Sequence, residues 1–558
     1  MPYFNIFQEY LFLSSDIPIE EKKKLDEYLN TLEESGVGKI VEKCLERDYS
    51  KGGRPLKEPY RLFASIIYAF SKHKGSLRRI EESLTFDLRF IYLMNQVTTS
   101  YVSISKLLNS VTVKNHHIIL SKIVQTIIKK YEINIDDCFL DGTKIEANAN
   151  KYKFVYKPTK HKESLILKIK ELLTIYFPIS ENKFSFTSKE IGSYLNQIIE
   201  IAEKQNIDLK NIKSGKGYKV PLIFKDYKTL SGYLLKMLDY EEKERICGDN
   251  RNSFYKTDKD ATMMCLKEDY YSGLGSNMHA AYNIQIIVSK GLILDYFISQ
   301  DRNDYNTMIP FLDSFYSSYG FYPKRLYADS GYGSLENYRY LDSNGIENYV
   351  KFGDWEKVKN GEHAILYHFD DDGNLVCLNG KIARKEKEYN GRHSHKKGFL
   401  YIIDNCKRCK YKSYCQKTLK RKTNERIFEA NEKLFHYKNI ALNNLLSTKG
   451  IEMRVNRSAQ VEGVYGVIKE DMDFDRFRRR GLDGVDKEFL FVCLGYNIKK
   501  LFSLIEGKGK IDYWKAPEDL KEEKIPEINL EKLGKHREKG KNETLRNQYK
   551  RKRLSRNI

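Results

Sequence analysis

Two strand-forming runs separated by only three residues constrain this chain more than any other feature. Ala281-Tyr282-Asn283-Ile284-Gln285-Ile286-Ile287-Val288 and Leu292-Ile293-Leu294-Asp295-Tyr296-Phe297-Ile298, joined through Ser289-Lys290-Gly291, read as a β-hairpin. A short alternating run, Cys138-Phe139-Leu140-Asp141-Gly142-Thr143-Lys144-Ile145, adds a strand before it, and Arg325-Leu326-Tyr327-Ala328-Asp329 adds one after it. Helical segments fall between and beyond these runs. One lies near Met308 to Tyr319, and another is capped by Ser334 and stopped by Asn344-Gly345. A long late helix carries Val461, Val464, Tyr465 and Ile468 at helical spacing. The pattern predicts an α/β protein whose strands bearing Asp141 and Asp329 lie side by side in one mixed sheet.

At 558 residues the chain exceeds a single hydrophobic core, which predicts two to four units of roughly 150 residues each. Residues 1–135 read as a helical N-terminal unit, with Leu62, Phe63, Ile66, Ile67 and Phe70 on one buried face after Pro59. Gly52-Gly53-Arg54-Pro55 is a basic loop leading into it. Lys72, Lys74, Arg78, Arg79 and Arg89 are expected on outer faces, as a DNA-binding surface or as ordinary surface charge. The core occupies 136–155 and 260–350 and closes with helices in 426–505. A Lys- and Glu-rich helical insertion (156–259), with Leu165, Leu167, Ile169, Leu172 and Leu173 apolar, and a small β-containing insertion bearing cysteines (351–425) interrupt it. In the latter, Ala364 to Tyr367 and Phe399 to Ile403 read as strands. Residues 506–558 are a basic tail; its last part, 531–558, has eleven Lys or Arg against three Glu and is expected to be disordered without DNA.

The 97 Lys and Arg against 76 Asp and Glu give a formal charge of +21, which attracts polyanions and makes nucleic acid the first partner to consider. No stretch approaches the ~20 apolar residues that span a bilayer, and Met1 to Ser15 lacks the pattern of a signal peptide. A cytoplasmic protein with no membrane partner is expected.

Asp141 and Asp329 are carboxylates on strands that are otherwise largely apolar, where a charge needs compensation. Glu462 lies on the late helix among Ser458, Ala459 and Gly466, so its flanks are open to a ligand. Three acidic side chains converging from two strands and a helix suffice to hold two Mg²⁺ ions, which together activate an attacking oxygen and stabilise the leaving one in phosphodiester cleavage. Mn²⁺ accepts similar ligands. Nearby lysine or arginine steadies the scissile phosphate.

The segments FLDGTKIEANANKY at 139–152, TDKDATMM at 257–264, AAYNIQIIVSKGLI at 280–293, ADSGYGSLENYRYL at 328–341 and NRSAQVEGVYGVIK at 456–469 resemble, in order and sense, bacterial insertion-sequence transposases with an RNase H-like DDE core and a helical N-terminal domain. The resemblance spans most of the chain. It implies Asp141, Asp329 and Glu462 as catalytic and metal-binding residues. It also implies double-stranded DNA as partner, as terminal inverted repeats and as target, and a homodimer in the DNA complex. In the wider group a Tyr, Arg, Glu, Lys signature surrounds the glutamate. Lys469 fits its spacing, whereas Arg457 stands one position further from Glu462 than the signature expects, and Arg454 stands where the tyrosine would fall. A DNA-facing role for Asn148, Asn150 and Lys151 follows from the resemblance alone. Two other readings compete with an active transposase: an inactive or repurposed DNA-binding descendant, and an RNase H-like nuclease of repair or recombination.

Nine cysteines are too few for a disulfide scaffold. Cys406-x-x-Cys409, Cys415 and the upstream Cys377 can supply four thiolates to a structural Zn²⁺, with reduced, unliganded thiols as the alternative. Lys407, Arg408, Lys410, Lys412 and Lys417 make a basic knob around them under either reading.

Overall fold

Helices α1 (Ile19–Glu34) and α2 (Val37–Leu45) precede α3 (Pro59–Ser71), whose first turn is preset by its proline. The apolar period of α3 holds, since Leu62, Phe63, Ile66, Ile67 and Phe70 are all buried. Helices α4 (Leu77–Phe86), α5 (Leu88–Leu93), α6 (Tyr101–Ser110) and α7 (Val113–Lys130) complete this helical unit. Two of its basic residues are engaged rather than presented outward. Lys72 Nζ lies 5.4 Å from the centroid of the Tyr68 ring and 6.0 Å from that of Phe502, and Arg89 pairs with Asp87 at 2.8 Å. Arg78 and Arg79 are exposed on α4. The computed structural model describes residues 17–45, 55–72, 75–110, 113–209, 212, 219–249, 251–266, 278–360, 366–390, 397–416, 424–508 and 513–524. The basic tail at 531–558, the loop residues Gly52, Gly53 and Arg54, Lys74, Lys417 and the strand start at Ala364 lie outside them.

Strand β1 (Asp137–Glu146) opens the sheet. Beyond it, β2 (Phe154–Tyr156) pairs antiparallel with β3 (Ser253–Tyr255), so a short ribbon carries the chain out to helices α8 (Thr159–Leu173), α9 (Ser188–Lys204) and α10 (Leu222–Cys247) and back. These helices bury Leu165, Ile169, Leu173, Ile191, Ile198 and Leu230 against one another in a core of their own. Leu167, expected on that apolar face, is 62% exposed. It stands two residues from both Leu165 and Ile169, about 200° around the helix from each, on the far side.

Strands β4 (Thr262–Cys265), β5 (Met278–Ser289), β6 (Leu292–Ser299), β7 (Arg325–Ala328) and β8 (Glu347–Val350) join β1 in a six-stranded mixed sheet among the described residues. The order is β4-β5-β1-β7-β8, with β6 also on β5. β1, β4 and β6 run antiparallel to β5, whereas β1, β7 and β8 are mutually parallel. The β5–β6 hairpin turns through Lys290 and Gly291, both at positive φ (49° and 73°), the conformation that matches strand twist in a tight hairpin. Helices α11 (Met308–Tyr319) and α12 (Leu335–Ser343) flank β7, and Ser334 Oγ caps α12 by accepting from the Asn337 amide at 3.2 Å.

After α13 (Trp355–Lys359) comes a small sheet-bearing insertion. Its hairpin is β9 (Tyr367–Phe369) with β10 (Leu375–Cys377), and β11 (Arg384–Asn390), β12 (Lys397–Ile403) and β13 (Arg426–Ala430) form a three-stranded sheet. The short helix α14 (Lys412–Cys415) lies between β12 and β13. Pairing of Phe399 with Ala430 carries this sheet past residue 425.

The chain then runs through α15 (Glu432–Leu446), α16 (Thr448–Arg457), a π-helical turn at Ser458–Glu462, α17 (Gly463–Gly466), a second π-helical turn at Val467–Asp471, and α18 (Leu482–Ile505). The apolar run from Phe489 to Leu494 is buried on every side of α18. The reason is its position between layers. The Phe491 ring meets Phe63 of α3 at 5.7 Å, and the Asn497 side chain pairs with the backbone of Ile293 in β6 at 2.9 and 2.8 Å. One apolar core therefore runs from the helical unit through α18 to the sheet. Among the described residues no helix is long and apolar enough to cross a membrane.

Candidate functional site

Parallel pairing between β1 and β7 runs from Asp137↔Arg325 to Leu140↔Ala328 and stops. The next residue of each segment is an aspartate: Asp141 within β1, and Asp329 just after the end of β7. Asp141 is therefore mid-strand in β1, not at its end, but it sits where β7 departs. Neighbouring strands lie about 4.8 Å apart, so the two carboxylates stand close together where the parallel pairing of these two interior strands ends.

Arg457 ties them to Glu462. Its Nη2 lies 2.9 Å from Asp141 Oδ2 and 3.7 Å from Asp329 Oδ2, and its Nη1 donates to Glu462 Oε1. Burial alone would lower the pKa of this guanidinium, but the Asp141, Asp329 and Glu462 carboxylates outweigh it and raise the pKa further. Asp329 and Glu462 have half-exposed side chains, at 46% and 57%, and Asp141 is more enclosed at 19%, so the cluster opens to solvent on the Asp329 and Glu462 side.

The unexpected spacing of Arg457 has a geometric cause. In an α-helix, residues four apart share a face, and a five-residue spacing would turn Arg457 away from Glu462. The turn between them is π-helical, and its i→i+5 bonding absorbs the extra residue and restores the facing. Tyr465, on the next turn, fixes this helix to the sheet by donating to the carbonyls of Asp141 at 3.0 Å and Ile284 at 3.1 Å. Gln460 accepts from the Gly291 amide at 3.0 Å at the hairpin turn. Lys469 is half-buried in the second π-helical turn.

A polar layer that the sequence reading missed supports the floor of the site. Asp304 Oδ1 accepts from Asn283 Nδ2 at 2.8 Å and Gln285 Nε2 at 2.9 Å, and the buried Tyr332 hydroxyl donates to Gln285 Oε1. A Cβ on Gly142 would stand 2.3 Å from Gln285 Nε2, so any side chain after Asp141 would have to displace the Gln285 amide from its hydrogen bonds. The signal was present in Tyr282-Asn283-Ile284-Gln285, where two amides share one face of an apolar strand. Lys351, just past β8, was missed as well. Its Nζ lies 3.8 Å from Asp329 Oδ1 and 2.9 Å from Glu356. Burial would lower its pKa, and Tyr327, Glu356 and Asp329 together raise it.

A third missed feature is an arginine-rich strap at 474–480. Phe474 and Phe477 are buried, whereas Arg476, Arg478 and Arg480 are exposed. The strap extends along the end of β1, with Phe477 donating to the Glu146 carbonyl at 2.9 Å. Buried Glu488 accepts from the amides of Arg478 and Arg479 at 3.0 and 2.9 Å, and burial raises the pKa of its carboxyl although those two amides and the charges of Arg478 and Arg479 oppose the rise. Asn148 belongs to this bracing: it donates to the Arg478 carbonyl at 2.6 Å, and its own carbonyl accepts from Arg480 Nε at 2.9 Å. Arg479 reaches Asn109 of α6 at 2.8 Å, which brings the strap alongside the helical unit. Asn150 is engaged with Thr257 and the Tyr152 amide, and Lys151 Nζ lies 5.4 Å from the Tyr152 ring centroid.

The donor set of Asp141, Asp329 and Glu462 is hard oxygen, the kind that Mg²⁺ and Mn²⁺ take. With Arg457 among them the carboxylates form an ion-pair cluster; among the described residues no three His, Cys, Asp or Glu side chains already stand as a metal-holding group. Cys377, Cys406, Cys409 and Cys415 line one cavity of the small insertion.

A family model described as a transposase DDE domain matches residues 376–502. That stretch carries the cysteines, Arg457, Glu462 and the arginine strap, and it supports a DDE transposase. No curated protein and no solved structure matches the chain.

Proposed function

We propose that this chain is the transposase of an insertion sequence, binding the terminal inverted repeats of its element as double-stranded DNA and cutting and joining strands at Asp141, Asp329 and Glu462. The observation that carries the reading is the convergence on Arg457 of three carboxylates from segments up to 321 residues apart in sequence. An RNase H-like core is supported by the sheet order, in which an antiparallel hairpin, β6 and β5, lies beside three parallel strands, β1, β7 and β8.

Asp141, Asp329 and Glu462 are the residues that would hold two Mg²⁺ ions, or Mn²⁺ in their place. When bound, such ions lower the barrier to attack on phosphorus and stabilise the departing oxygen. Arg457 then has a second anion to serve. Released from the carboxylates, its planar fork suits two oxygens of the scissile phosphate. Lys351 faces the other oxygen of Asp329, and Tyr465 holds the helix of Glu462 to the backbone of Asp141. The strap at Arg476, Arg478 and Arg480, with Arg78 and Arg79, Lys151 and Lys469, offers charges for the DNA backbone, and Asn148 positions that strap. Assembly as a dimer on paired ends completes the reading.

The test is excision from a donor plasmid in which the DNA flanking the gene brackets a reporter. Expression of the chain should release the reporter and leave junctions at the element boundary. DNA binding at those ends without any broken strand would favour the repurposed, non-catalytic descendant instead.

A further inference from the structure

The small insertion carries four cysteines that strand cleavage does not use. Its core is slight: among the described residues, Leu375, Tyr401, Ile403 and Phe428 are the large side chains buried in it. Segments of this size commonly need a covalent or metal staple.

The thiols sit where such a staple would be. Cys377 ends β10, and the chain turns at once, with the Gly380 amide donating to the Cys377 carbonyl at 2.8 Å. Cys406 follows β12 and makes the corresponding turn, the Cys409 amide facing the Cys406 carbonyl at 3.4 Å and the Lys412 amide donating to the Cys409 carbonyl at 3.0 Å. Cys415 closes α14. All four are free thiols, and all line one cavity together with Lys412, Arg426 and Phe428. Arg426 adds an independent sign. Its Nε is buried without a hydrogen-bond partner, and its residue lines the same cavity. A pocket of neutral thiols leaves that donor with only weak acceptors, whereas metal-bound thiolates accept from it.

We propose that Cys377, Cys406, Cys409 and Cys415 form a tetrathiolate site for Zn²⁺ that pins the β9–β10 hairpin to the three-stranded sheet. Four soft sulfur donors with no open position suit a structural zinc ion, and thiol protons leave as the ion binds. In such a site each sulfur stands about 2.3 Å from the ion, so the four side chains, which do not form a ready-made metal group in the structure, close around it as it binds. The two exposed residues between Cys406 and Cys409, Lys407 and Arg408, are thereby held on a fixed turn. The site is independent of the cleavage reading, and neither depends on the other being right.

The experiment is metal analysis of the full chain purified without chelator, with Cys409→Ser, Cys377→Ser and the exposed Cys265→Ser as control. About one zinc per chain is expected in the native protein and in Cys265→Ser, with a loss to a small fraction in the other two. Because those two variants can misfold, the native protein is also exchanged with Co²⁺, which should give the intense visible bands of a tetrahedral thiolate site. Near-zero zinc, with these cysteines alkylating as fast as Cys265, overturns the proposal. So does bound iron with acid-labile sulfide, or a disulfide within the group.

Discussion

Replacing Arg457 with Gln should move metal affinity and cleavage in opposite directions. In the protein without DNA, the guanidinium shares three carboxylates, with contacts of 2.9 Å to Asp141 and 3.7 Å to Asp329 and a hydrogen bond to Glu462. A divalent ion entering the cluster must displace it. Hydrogen bonds to charged groups contribute roughly 1.5–3 kcal/mol, and the half-exposed side chains of Asp329 and Glu462 reduce this through solvent screening, so about 1–2 kcal/mol of competition is expected. The two aspartate oxygens also lie no more than about 7 Å apart, where mutual repulsion amounts to roughly 0.5–2.5 kcal/mol between the limits of water and protein surroundings. Without Arg457 that repulsion is relieved only by the metal. Arg457→Gln should therefore bind Mn²⁺ about 5- to 30-fold more tightly in the absence of DNA, at 1.4 kcal/mol per decade. Titration calorimetry or the electron paramagnetic resonance of free Mn²⁺ measures this directly. Cleavage of end DNA should fall by about 10²-fold or more, because the charge facing the phosphate is gone. Unchanged or weaker Mn²⁺ binding in the variant would refute the view that Arg457 competes with the metal.

Three further outcomes are expected. Gly142→Ala forces a Cβ to within 2.3 Å of the Gln285 amide and should destabilise the chain by about 1–3 kcal/mol, read as a lowered melting temperature; an unchanged melting temperature would show that the Gln285 layer yields freely. Arg476→Ala and Arg480→Ala should each weaken binding to all duplex DNA alike and reduce the salt dependence by about one unit, whereas a loss confined to end sequences would make the strap a reader of bases. At His117, burial lowers the pKa but the Asp295 hydrogen bond at 2.7 Å, its charge and that of Asp486 win, so the folded value exceeds the unfolded one; the stability His117 contributes is present below about pH 6.5 and lost as pH rises through the raised folded value, apart from the contribution of Asp295, whose carboxyl burial also pushes upward and which is lost, as pH rises, from a lower pH onward, and His117→Asn should flatten the upper part of that dependence in thermal scans across pH.

The sheet was legible because its strands announce themselves locally: the β5–β6 hairpin, Asp141 within a short alternating run and Asp329 at the close of an apolar one all lie within a few residues of the features that mark them. The side-by-side placement of the two strands follows from their matching acidic ends and the hairpin between them, whereas the parallel register that sets Asp141 beside Asp329 joins residues 188 positions apart and has no local signal. The π-helical turn was illegible for a simple reason. Helical periodicity does not distinguish a widened turn from a residue out of place, so Arg457 looked displaced when its geometry was compensated. The strap at 474–480 gave too short an alternation, with only Phe474 and Phe477 as anchors, and its pairing partner Glu146 lies far back in the chain. Lys72 and Arg89 looked like surface charges because sequence shows which face of a helix is polar but not which aromatic ring or carboxylate stands next to it.

The most direct measurement is strand cleavage of a labelled duplex carrying the element end, with Mg²⁺, by the native chain and by the triple variant Asp141→Ala, Asp329→Ala, Glu462→Ala. If these carboxylates hold the metal ions, the variant should bind the duplex as well as the native chain or better, since three negative charges near the phosphates are gone, and it should cut at a background rate. Mn²⁺ should support native cleavage, and Ca²⁺ should support binding with little cutting. Cleavage by the triple variant at a rate near that of the native chain would contradict the placement of the catalytic centre at Asp141, Asp329 and Glu462.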